Sequence, residues 1–93
     1  MKVLVDAMYD GLDIKLKELG YKTYSVKKLI AEGMKLQSDY SIIKHAEKNE
    51  MVVITGDTEV GNGCKENDIP YVLIDNNKIL KLILVELDVL KNK

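Results

Sequence analysis

Two short runs of β-branched residues, KVLV at Lys2–Val5 and MVVIT at Met51–Thr55, lead into aspartates: Asp6 directly, and Asp57 after a single glycine. Runs this short and apolar read as strands of a parallel sheet, buried on both faces, and parallel strands need crossover connections, usually helices. The segments between them fit that demand. Leu12, Leu16 and Leu19 fall at helical spacing before Gly20, so residues 10–19 are expected to be helical with Asp10 as a cap. Residues 21–26 read as a second strand, 27–33 as a short helix and 34–37 as a connection. Ser38 followed by Asp39 then opens a helix of about three turns. A shorter helix is expected at 60–66, a fourth strand at 71–74, and a terminal helix over 78–91. The expected fold is α/β: a single domain, residues 1–93, folded as a three-layer α/β/α sandwich on a parallel sheet of about four strands.

Composition narrows the chemistry. All fourteen cationic residues are lysines, so there is no guanidinium for bidentate recognition of phosphate or guanine, and sequence-specific base reading is not expected. The lone Cys64 cannot form an internal disulfide, and the lone His45 excludes His-rich metal sites. His45 lies six positions after Asp39 and is expected at a surface rather than among the acids; Cys64 reads as a small buried residue, not a redox centre. The Gly56–Gly63 segment lacks the Lys and Ser/Thr pair of a phosphate-binding loop. The amino-terminal MKVLVDAMYD lacks the continuous apolar stretch of a secretory signal, and we expect a cytoplasmic protein with no membrane segment.

Chemistry must therefore come from carboxylates. In parallel sheets ligands gather at the carboxyl ends of the strands, where Asp6, Asp57 and Asp75 are expected. Asp39, opening the middle helix, belongs to the same edge, and Glu59 can turn back toward it. Asp6, Asp39, Asp57 and Glu59 together would repel one another unless a divalent cation sits among them, and hard oxygen donors select Mg²⁺ or Mn²⁺. Hydrolysis of a phosphodiester is the matching reaction. Taken singly, each acid has an ordinary structural use as a cap, a turn residue or a loop hydrogen-bond partner.

VLVD at Val3–Asp6, LKELGY at Leu16–Tyr21, SDYSIIKHAEKNEMVVITGD at Ser38–Asp57, and Glu59 together resemble the PIN-like superfamily, in its short prokaryotic branch related to the VapC toxin ribonucleases. The resemblance spans residues 2–75. It implies a Mg²⁺- or Mn²⁺-dependent ribonuclease, with the toxin of a toxin–antitoxin pair as the expected setting. Asp6, Asp39, Asp57 and Glu59 would be its metal ligands, and Thr55 would orient a carboxylate or a metal-bound water through its hydroxyl. The implied partners are an RNA substrate and an antitoxin protein. Two departures stand out: Ala7 and Met8 occupy positions where the branch commonly carries an acid and an amide, and Glu59 stands where Asp is more usual. The alternative is a non-catalytic PIN-like interaction module. A receiver-like phosphoacceptor domain fits less well, since it calls for two adjacent acids after the first strand.

With the four acids set aside, fourteen lysines face eleven acids, a mildly basic exterior. Lys15, Lys22, Lys27, Lys28 and Lys35 are candidates for an RNA-facing rim, against the default of a solvated charged surface. The terminal helix carries Ile79, Leu80, Leu82, Ile83, Leu84, Val85, Leu87, Val89 and Leu90, more apolar surface than one core-facing stripe needs. One side is expected to cover the sheet and another to form a homodimer.

Overall fold

In a computed structural model that describes residues 1–93 throughout, the two β-branched runs are neighbours. Val3 lies beside Val52 and Val5 beside Ile54 in the parallel pairing of β1 (Lys2–Val5) with β3 (Met51–Thr55). β2 (Lys22–Ser25) flanks β1, and β4 (Tyr71–Leu73) flanks β3, giving an all-parallel sheet of order β2-β1-β3-β4. Five helices connect and follow the strands: α1 (Leu12–Glu18), α2 (Val26–Ala31), α3 (Asp39–Asn49), α4 (Thr58–Glu66) and α5 (Asn76–Lys91). This is the expected three-layer α/β/α sandwich.

Alternation along the strands sorts their side chains between the two faces. Leu4, Met51 and Val53 point to one face, where they meet Ile42, Ile43 and Ala46 of α3 and Val60 and Cys64 of α4 in the main core. Val3 and Val5 point to the other, with Thr23 and Ser25 buried beside them on β2. The β1-to-β2 connection runs along the sheet opposite to the β2-to-β3 and β3-to-β4 connections, so right-handed crossovers put α1 alone on this second face. α1 packs chiefly against β2 and β1. Val52 and Ile54 on β3 stay half-buried there, and Val72 on β4 is 41% exposed.

Local chemistry sets the helix boundaries and corrects several expected ones. α1 begins at Leu12 with Gly11 at its cap position, at φ 109°, where no Cβ is strained. Asp10 is not its cap; the carboxylate accepts the Ser25 hydroxyl at 2.5 Å instead. Val26 belongs to α2, because the Ser25 hydroxyl accepts the Lys28 N–H and starts that helix earlier than expected. Ser38 and Ser41 form a reciprocal capping box at the start of α3. Asp57 and Asp75 cap α4 and α5, which start at Thr58 and Asn76 rather than Val60 and Lys78.

The terminal helix departs most from expectation. Every residue of α5 is exposed, and none covers the sheet. The molecule measures 50 Å along its longest axis against 30 and 21 Å, in keeping with a 16-residue helix, about 24 Å long, standing away from the body. No helix is long and apolar enough to cross a membrane.

Candidate metal centre

The carboxyl edge of the sheet gathers the ends of β1 and β3 and the starts of α3 and α4. Asp6 is buried immediately after β1. Its Oδ1 accepts the Ala7 N–H at 2.8 Å, capping a single 3₁₀ turn at Ala7–Tyr9, and its Oδ2 accepts the Thr55 hydroxyl at 2.7 Å. Thr55, fully buried at the end of β3, in turn accepts the Asp57 N–H at 3.0 Å. Asp57 Oδ1 accepts the Glu59 N–H at 2.9 Å. A chain of hydrogen bonds thus runs from Asp6 through Thr55 to the backbone that carries Asp57 and Glu59. The carboxylate that the Thr55 hydroxyl holds is Asp6.

Asp39, the first residue of α3, closes the group from the neighbouring helix. One carboxylate oxygen from each of Asp39, Asp57 and Glu59 lies within 4.8 Å of the others. Asp39 and Asp57 are half-buried and Glu59 is exposed. α3 and α4 both begin here, so the positive ends of two helix dipoles face the negative charge. The three carboxylates could hold a metal ion, and an all-oxygen donor set suits a hard divalent cation. Asp6 is not one of the three; its oxygens accept from the Ala7 N–H and the Thr55 hydroxyl.

Met8 and Tyr9 arch from the 3₁₀ turn over Gly56. The Met8 sulfur accepts the Gly56 N–H at 3.2 Å, and a Cβ at position 56 would lie 2.7 Å from the Tyr9 hydroxyl oxygen and 2.8 Å from that sulfur. Met8 therefore fastens the β1 loop to the β3 loop. Neither the protein families, nor the curated proteins, nor the solved structures compared with this chain match it. The PIN-like resemblance rests on the motifs quoted above.

A second polar cluster, not anticipated from the sequence, lies at the carboxyl end of β2. Asp13, with a side chain only 1% exposed, accepts Lys28 Nζ at 2.7 Å and the Gly11 N–H at 3.0 Å. Lys28 is also 3.9 Å from Asp10. Burial by itself would raise the Asp13 carboxyl, but the hydrogen bonds from Lys28 and Gly11 and the lysine charge outweigh it and hold the group below its ordinary value. The same hydrogen bond raises Lys28. Asp13 reads in sequence as a first-turn helix acid; only the fold puts Lys28, fifteen residues on, against it.

Of the five lysines offered for a rim, Lys27 and Lys35 are exposed at the surface. Lys28 is engaged by Asp13, Lys15 lies 3.8 Å from Glu18, and Lys22 sits at the amino end of β2, away from the acids. His45 is half-buried, with Asn49 Nδ2 3.5 Å from its ring nitrogen, and burial followed by the Lys48 charge lowers its imidazole. Cys64 is a buried free thiol, raised by that burial, as a structural cysteine should be. A groove of about 240 Å³ between Glu47, Glu50, Asn67 and Pro70 lies at the amino ends of β3 and β4, opposite the acids. No enclosed cleft contains Asp39, Asp57 or Glu59. The acidic group lies on an open surface.

Proposed function

We propose that the protein is a Mg²⁺- or Mn²⁺-dependent ribonuclease of the PIN type, acting as the toxin of a toxin–antitoxin pair. The observation that carries this reading is the convergence of Asp39, Asp57 and Glu59 at the carboxyl edge of a parallel sheet. A divalent cation held there would supply charge neutralisation for phosphate and activation of water for attack at phosphorus. Asp39, Asp57 and Glu59 are the residues that would hold it. The Glu59 N–H fixes Asp57 Oδ1, so Asp57 keeps one orientation and offers its other oxygen. Asp6 and Thr55 act as positioning residues for the Asp57 backbone. RNA contacts would come from lysine point charges and would depend on salt.

The test pairs calorimetric titration with Mn²⁺ and cleavage of labelled single-stranded RNA in Mn²⁺ or EDTA. Wild type should bind the ion and cut the RNA, whereas Asp57→Asn should lose both while keeping the wild-type circular dichroism spectrum. Cleavage undiminished in Asp57→Asn, or unaffected by EDTA, overturns the reading. The second reading, a non-catalytic PIN-like interaction module, is favoured by the engagement of both Asp6 oxygens and by the Met8 contact with Gly56. It expects neither Mn²⁺ binding nor cleavage.

A further inference from the structure

Parallel sheets are normally covered by helices on both faces, because strands apolar on both sides must be shielded from water on both sides. Here the second face is half covered. α1 shields β1 and β2, leaving Val52 and Ile54 half-buried and Val72 exposed on β3 and β4. The same chain carries a helix with the opposite problem. Ile79, Leu80, Ile83, Leu87 and Leu90 fall on one side of α5 at three- and four-residue spacings, and each is between 40% and 62% exposed. Lys78, Lys81 and Asp88 fall on the other side together with Leu82, Val85 and Val89, and Glu86 stands at the edge of the apolar side, so burying that side leaves Lys78, Lys81 and Asp88 in water.

We propose that the occupant of each face is a second copy of this chain: α5 of one protomer lies across the Val52, Ile54 and Val72 face of its partner, and the exchange is reciprocal. Two observations favour a second copy over other occupants. First, the exposed helix and the uncovered sheet face occur on one chain in equal number, so a two-fold exchange satisfies both and closes the assembly. Second, the area is sufficient. Five side chains about half exposed offer on the order of 400 Å², the three partly covered sheet residues about 200 Å², and two-fold repetition brings the total to about 1,200 Å², the lower bound of a stable interface. Docking also gives α5 the tertiary packing from which short helices draw most of their stability.

The test measures the mass of the intact chain by light scattering on a sizing column at micromolar concentration, for wild type, Ile83→Glu and Val72→Glu. Wild type should be a dimer. Each variant should dissociate at least tenfold more readily, and because both residues are exposed in the single chain, each variant should keep its fold by circular dichroism. A monomeric wild type overturns the proposal and leaves the apolar faces to a different protein or to the chain's own α5. A dimer broken by Ile83→Glu but not by Val72→Glu also overturns it, since that is the signature of two α5 helices pairing with each other.

Discussion

The Thr55 hydroxyl donates to Asp6 Oδ2 at 2.7 Å, tying together two buried residues 49 positions apart at the ends of adjacent strands. Replacing the hydroxyl by a methyl leaves a buried carboxylate oxygen without its partner. Thr55→Val should therefore cost about 1–3 kcal/mol of unfolding free energy, while Thr55→Ser, which keeps the donor, should cost less. Urea denaturation of the two variants measures the difference, and equal stability of Thr55→Val and wild type would contradict the assigned bond.

The Asp13–Lys28 pair makes stability depend on acid. Because the Asp13 carboxyl is lowered in the fold, the unfolded chain binds more protons between the folded value and the ordinary 3.8. This contribution is fully present above 3.8 and is lost as pH falls through the folded value. Urea midpoints measured from pH 6 downward should fall less steeply in that window for Asp13→Asn than for wild type.

His45 is the only imidazole, so its proton resonances can be followed without ambiguity. Burial and then Lys48 should put its titration midpoint below 6.5, and Lys48→Gln should move the midpoint part of the way back. The fold favours the neutral ring, so the linked stability is present above 6.5 and declines as pH falls through the lowered value. A midpoint above 6.5 in the native protein would contradict the burial seen here.

Gly63 of α4 meets Ile43 of α3 so closely that a Cβ at 63 would overlap the Ile43 δ-methyl. Alanine favours a helix interior over glycine by up to about 1 kcal/mol, yet overpacking a core typically costs about 1–3 kcal/mol. Gly63→Ala should destabilise the wild-type chain and be neutral or stabilising in the Ile43→Val background, where the obstructing methyl is gone. A double-mutant cycle by thermal or urea unfolding reads the coupling.

The strands were legible because β-branched runs of four or five residues have few other uses, and the start of α3 because Ser38 carries its own cap. Asp39, Asp57 and Glu59 could be placed at one edge from topology alone. The orientation of Asp6 could not, since it depends on which hydroxyl the neighbouring strand presents. Asp13 and Lys28 escaped notice for a similar reason: each is an ordinary helix-surface residue until the turn of the chain around β2 brings them together.

By itself the sequence determined the alternation of strands and helices, the parallel sheet and the supply of acids at its carboxyl edge, because these follow from local periodicity and connection rules. The tertiary structure alone decided that Asp6 accepts the Thr55 hydroxyl, and that α5 stands clear of the sheet. Both outcomes depend on distances between residues far apart in the chain. Periodicity shows that a helix has an apolar side but not which surface receives it.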